Sequence, residues 1–204
     1  MFKNILSTQQ LELLPLMKQF SSQFGLVGGT AIALQIGHRS SIDFDLFTFG
    51  SFDHDLVRDT VRNHFPIKKT LIENPNELTI LTNKVKVTFY SYPFKISFDQ
   101  RFDDIISLPS LLTLATMKAF ALNRRAKWKD YVDLFFIFKH YTLQDVVNAA
   151  TTIFGDEFNQ KLFREQLSFF EDIDYTESIE YLEGFAIPDE MIKQELQQIS
   201  LSKS

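Results

Sequence analysis

The spacing of apolar residues changes twice along this chain. Leu11, Leu14, Met17 and Phe20 recur at helical intervals behind Ser7 and Gln10, which stand in the arrangement of a capping box, so a first helix is expected here with Pro15 inside it. A short apolar step, Leu26-Val27, runs into Gly28-Gly29, and Thr30 to Ile36 reads as a second helix closed by Gly37. From Ser41 to Phe49 the period drops to two. Ile42, Phe44 and Leu46 fall on one strand face and Asp43, Asp45 and Phe47 on the other. Asp53 caps a helix expected through Phe65, with Leu56, Val57 and Val61 on one side. Three β-rich runs at 67–72, 77–81 and 85–90 are separated by turn-forming residues, Asn74-Pro75-Asn76 and Thr82-Asn83-Lys84, and a last short strand is expected at 95–98. Beyond Pro109 the spacing is helical, with helices expected at 110–123, 129–140, 143–154, 157–170 and 189–199. The pattern predicts an α+β fold: a small mixed or antiparallel sheet with helices in a module spanning 1–105, then a helical domain spanning 106–204.

Composition narrows the class. A hydrophobic content of 45% with 23% charged residues is that of a globular protein with a sizeable core, and 22 Phe against 1 Trp and 6 Tyr fill it mainly with rings that need no polar partner. The absence of cysteine excludes disulfides, thiolate metal sites and cysteine nucleophiles. No run approaches the roughly 18 apolar residues of a membrane span, and the first residues lack a signal-like apolar stretch, so a cytoplasmic protein without membrane contact is expected. The net charge of −5 argues against a broad nucleic-acid footprint and leaves room only for local basic patches.

Two features carry chemistry. A double glycine between a strand and a helix lets backbone approach a ligand closely, and the N–H groups of the following helical turn suit phosphate. Asp43 and Asp45 then offer two carboxylates from one strand face, where a hard cation can be held beside that phosphate. Alone, a GG is more often a plain turn and a DxD a solvated strand face; their order and short spacing favour the functional reading. Elsewhere a simpler reading stands beside any functional one. Lys129 and Asp133 have the spacing of a surface ion pair, and Arg124-Arg125 suits a helix C-terminus. Glu171, Asp172, Asp174, Glu177 and Glu180 read as a solvated acidic face, Leu134, Phe135, Ile137 and Phe138 as core, and His54, His64 and His140 as ordinary side chains.

The stretch Leu26-Val-Gly-Gly-Thr-Ala-Ile-Ala-Leu through Gly37-His-Arg-Ser-Ser-Ile-Asp-Phe-Asp-Leu-Phe47 resembles the first motif of the AbiEii/AbiGii toxin family of polymerase-β-like nucleotidyltransferases. Tyr92-Pro93 also resembles the family. A second match runs from Met117-Lys118-Ala119 through Arg124, Arg125 and Lys127 to Lys129-Asp130-Tyr131-Val132-Asp133-Leu134.

The resemblance implies a nucleotidyltransferase fold with NTP as co-substrate. It places Gly28, Gly29 and Thr30 at the triphosphate and Asp43 and Asp45 on Mg²⁺ or Mn²⁺. It gives Lys118 and Lys127 or Lys129 the neutralisation of phosphate, and Asp130 or Asp133 the orientation or deprotonation of the acceptor. His38 and Arg39 either touch phosphate or fix their loop. The resemblance further implies a tRNA acceptor and an antitoxin partner.

One position departs from the family pattern. Members commonly carry a third carboxylate on the strand after the DxD hairpin, and Thr88 stands there, in Val85-Lys86-Val87-Thr88-Phe89. A neutral hydroxyl anchors metal poorly, so another residue such as Asp99 would have to serve. Two alternatives stay open: the same chemistry on a small hydroxylated molecule, and a degenerate member that binds nucleotide or a protein partner without turnover.

Overall fold

A computed structural model describes residues 1–202. It divides into two compact units, with the break between Ser110 and Leu111.

The first unit opens with α1 (Thr8–Gln19). Ser7 accepts from the Gln10 amide while the Gln10 side chain accepts from the Ser7 amide, so the expected capping box is formed, and Pro15 lies within the helix. β1 (Gly25–Val27) leads directly into α2 (Gly28–Ile36), which starts at the double glycine and ends at Gly37 in the left-handed region, φ 78°. β2 (Phe44–Thr48) is shorter than the predicted strand, and α3 (His54–Arg62) is capped by Asp53, whose carboxylate accepts from the amides of Asp55 and Leu56. β3 (Ile67–Asn74), β4 (Glu77–Thr82) and β5 (Val85–Ser91) follow as consecutive antiparallel strands.

The sheet order is β1-β2-β5-β4-β3, and β2 with β5 forms its one parallel pair. Parallel neighbours need a crossover connection, which α3, β3 and β4 supply between β2 and β5. Phe44 and Leu46 of β2, Leu78 and Ile80 of β4, and Val87 and Phe89 of β5 are buried together with Leu13 and Leu16 of α1 and Ile32 and Leu34 of α2.

The strand predicted at 95–98 does not form. Those residues run irregularly, and the Phe98 ring lies against Gly25, where an added Cβ would meet it at 2.1 Å. Packing onto a bare glycine has replaced ladder pairing there. A small hairpin, β6 (Gln100–Phe102) and β7 (Ile106–Leu108), completes the unit.

The second unit contains α4 (Leu111–Leu122), α5 (Trp128–Ile137), α6 (Leu143–Phe154), α7 (Gln160–Gln166) and α8 (Asp189–Ser200). α7 is half the predicted length, and it starts three residues late because Asn159 caps it, accepting from the Leu162 amide. Leu134, Phe135 and Ile137 are buried as expected. Trp128, the single tryptophan, is also buried; its ring stacks near Tyr131 and its indole N–H donates to Asp189 at 3.2 Å.

Candidate active site

Gly28 begins α2 with φ +72°, a conformation open to glycine at little strain. A side chain is excluded for a second reason: a Cβ on Gly28 would lie 2.2 Å from Asp45 Oδ2. The carboxylate is therefore seated directly on the turn. Gly29 is bare for a matching reason, since its Cβ would fall 2.6 Å from an Arg39 guanidinium nitrogen. The N-cap residue, Val27, offers no side-chain cap to this helix, and the first amides of a helix have no partners within it. The turn thus joins the N–H groups of a helix start, a buried arginine and a carboxylate.

Asp45 alternates with buried Phe44 and Leu46 and so projects from the opposite face of β2, the parity the sequence predicts. Asp43 sits just before the strand and is fixed from behind. The Thr30 hydroxyl donates to the Asp43 carbonyl and lies 2.8 Å from Ser41 Oγ, which ties the first turn of α2 to the approach into β2. Thr30 is buried, so its side chain acts on the site by holding Asp43 in place. Arg39, 5% exposed, also donates to the Ser40 carbonyl at 2.9 Å, so it fixes its loop as well as flanking the glycines. His38 is fully buried beside it.

Asp43 Oδ2 is 2.7 Å from Lys86 Nζ, so this carboxylate already has a cation against it. Among the described residues no three His, Cys, Asp or Glu side chains form a metal cage. Two carboxylates beside an anion site still fit Mg²⁺, which commonly takes one or two carboxylates and completes its shell with phosphate and water.

A family model described as nucleotidyl transferase AbiEii toxin, type IV toxin–antitoxin system, matches residues 16–198. The chain belongs to this family.

An uncharacterized protein of Aquifex aeolicus is 32% identical to it over 124 residues, 59% of this chain and 60% of that protein. The chain thus spans about 60% of the length of the curated relative it matches. Among solved structures, it is similar to MenT4, a nucleotidyltransferase toxin of Mycobacterium tuberculosis, with a TM-score of 0.61 at 14% identity over 95% of this chain and 82% of that one. The protein JHP933 of Helicobacter pylori gives a TM-score of 0.57 at 15% identity, over 96% and 91% of the two chains. At these identities the structures speak for the fold alone.

The stretch that resembles the family's second motif lies in the other unit. Lys118 of α4 contacts Asp130 and stands 2.9 Å from Asp133 Oδ2, both on α5, and Arg125 Nε reaches Asp130 Oδ2 at 3.2 Å. Both aspartates are 0% exposed and Lys118 is 6% exposed. The sequence reading of Lys129 with Asp133 as a surface pair is therefore wrong, because α5 turns Asp133 inward to Lys118.

Lys127 and Lys129 both bind Glu177, Lys127 at 2.6 Å. The expectation that Glu177 merely forms part of a solvated acidic face fails with them. Partial burial works against its charge, but the two lysine hydrogen bonds outweigh it and hold the carboxyl at about 2. Arg124 lies over the Phe120 ring, 3.7 Å from its centre, and near Glu157.

Sequence reasoning missed an aromatic row beside the carboxylates. Phe47, two residues from Asp45, packs 5.1 Å from Tyr90 and 5.0 Å from Tyr92, and Tyr92 lies 5.6 Å from Phe94. All four are half-buried. Phe47 and Tyr90 are register partners on β2 and β5, so the parity that placed Asp45 could also have placed them.

Proposed function

We propose that this chain transfers a nucleoside monophosphate from NTP to an acceptor hydroxyl, with tRNA as the acceptor, and that it is the cytoplasmic toxin of a toxin–antitoxin pair. The observation that carries the reading is the seating of Asp45 on Gly28, with Arg39 on Gly29, at a helix N-terminus. That turn places phosphate donors and carboxylate acceptors side by side, as a nucleoside triphosphate with its cation requires.

In this reading the α2 amides and Arg39 bind triphosphate oxygens, and Asp43 and Asp45 hold Mg²⁺ or Mn²⁺. The cation, when bound, supplies charge neutralisation at the phosphates and activation of the attacking oxygen. Thr30 keeps Asp43 in register with the glycine turn. Lys86, paired with Asp43 at 2.7 Å, adds positive charge beside the two carboxylates. Phosphoryl transfer depends mainly on alignment and charge, which a rigid strand and a tied helix provide. The row of Phe47, Tyr90, Tyr92 and Phe94 supports a ligand bearing bases, because stacking on aromatic side chains tolerates any base. In the second unit, Asp130 and Asp133 set the position of Lys118, and Lys127 and Lys129 share Glu177.

Purified protein incubated with each α-labelled NTP, Mg²⁺ and total tRNA tests the reading. Label in RNA that is lost with Asp45→Asn is the expected result. Label on small hydroxylated molecules alone replaces tRNA as acceptor, and NTP binding without transfer to anything overturns the enzymatic reading.

A further inference from the structure

The turn between β4 and β5 is made by Asn83 and Lys84 with φ values of 46° and 64°, as in a two-residue hairpin. Its register puts Thr79 directly opposite Thr88. On the other side of β5, Thr88 is the partner of Asp45. Partners across strands share a face, so Asp45, Thr88 and Thr79 form a row over three adjacent strands. Glu77, two residues before Thr79, projects from the same face. The last part of this row is hydrogen-bonded: Thr79 Oγ1 lies 2.8 Å from Glu77 Oε1 and 3.2 Å from Thr88 Oγ1. Thr79 is 2% exposed, so water does not dilute the link.

Counting protons gives the row a direction. A carboxylate only accepts, and each hydroxyl carries one hydrogen. The Thr79 proton is therefore donated to Glu77, and the Thr88 proton is donated to Thr79. Thr88 Oγ1 keeps its lone pairs for an incoming donor, and hydrogen bonds in series polarise one another. Thr88 thus becomes a hydroxyl with a carboxylate behind it, at the position where a carboxylate itself is expected.

We infer that Glu77 accepts the proton of the acceptor hydroxyl through Thr79 and Thr88. The inference rests on the transferase reading above. As the acceptor oxygen bonds to the α-phosphorus, its proton passes to Thr88 Oγ1, the Thr88 proton to Thr79 Oγ1, and the Thr79 proton to a Glu77 oxygen. The bond from the α-phosphorus to the bridging oxygen breaks, and its electron pair leaves on pyrophosphate. Glu77 ends as a neutral carboxyl and returns its proton to solvent. Thr88 touches the acceptor; Thr79 and Glu77 are positioning residues behind it. The groups around Glu77 are Tyr90 opposite it on β5 and Asn74 on β3, with Lys86 and Asp43 further along the same face.

The test measures transfer from α-labelled NTP to total tRNA with Mg²⁺, resolving kcat from the KM for NTP. Glu77→Gln and Thr79→Val should each lower kcat by about 100-fold, the lower end of general-base effects, and leave KM unchanged. Thr79→Ser, which restores the hydroxyl, should stay within a few-fold of wild type. In a Thr88→Asp background the carboxylate is supplied directly, so adding Glu77→Gln should change nothing further. A merely structural Glu77 would not be bypassed in this way. Wild-type kcat in Glu77→Gln, equal rates for Thr79→Val and Thr79→Ser, or a Glu77→Gln loss that persists beside Thr88→Asp each overturns the relay and leaves the transferase reading standing. A wild type that transfers to no acceptor overturns that reading and the relay together.

Discussion

Gly28 is constrained twice, by its backbone angle and by the carboxylate resting on it. Gly28→Ala must therefore shift either the start of α2 or Asp45, and displacements of about 1 Å at a reacting centre can cost on the order of 100-fold in rate. Transfer by Gly28→Ala should fall by about that factor, while its thermal midpoint moves by only a few degrees. The comparison that checks this is single-turnover transfer beside a melting curve. A variant with full activity would show that Asp45 need not sit on the turn. Asp133 presents the opposite case, a residue whose loss should be read first in stability. It is fully buried against Lys118, and removing one partner of a buried pair leaves the other charge uncompensated, at a cost of about 3–5 kcal/mol. Denaturant unfolding of Asp133→Ala should show a loss below that range, because Asp130 still faces Lys118.

Among the elements, the junction of α5 with the segment carrying Glu177 has a pH dependence of defined sign. The Glu177 carboxyl is held at about 2, below its ordinary 4.5, so its ion pairs with Lys127 and Lys129 stabilise the folded chain above pH 4.5. That contribution is lost as pH falls from about 4.5 towards 2. Urea midpoints of wild type and Glu177→Gln should differ at neutral pH and converge by about pH 2; curves that stay parallel would show the bridge contributes nothing.

Elements were legible in proportion to how local their causes are. The Ser7 capping box, the Asp53 cap, the Gly37 terminus and the Asn83-Lys84 turn depend on neighbours in sequence, and each formed as expected. The strand predicted at 95–98 failed because its outcome rests on the distant Gly25. The site divides in the same way. Asp43, Asp45 and the glycines follow from strand parity and a turn. The pairing of Glu177 with two lysines some 50 residues away has no local signature. Glu77 was within reach: counting outward from the hairpin turn puts Thr79 opposite Thr88, and the sequence reading stopped at Thr88 itself.

For the whole molecule, binding of NTP and its cation should appear as added stability. A ligand that binds only the folded state at 100 times its Kd contributes about 2.7 kcal/mol. NTP with Mg²⁺ should therefore raise the thermal midpoint of the wild type, and the double substitution Asp43→Ala/Asp45→Ala should abolish the metal-dependent part of that rise. An equal rise in the double variant would place the cation elsewhere. The net charge of −5 bears on the proposed acceptor: an RNA bound by so acidic a protein would need local basic patches.

Burial of Trp128, alone of its kind and lodged in the helical unit, also gives the chain a built-in optical reporter. The first unit owns no indole, so emission excited selectively at tryptophan follows the helical unit alone, whereas far-ultraviolet dichroism sums over both. Plotting the two signals along one denaturation would show whether the sheet-bearing unit and the helical unit lose structure together or in sequence, with no label attached.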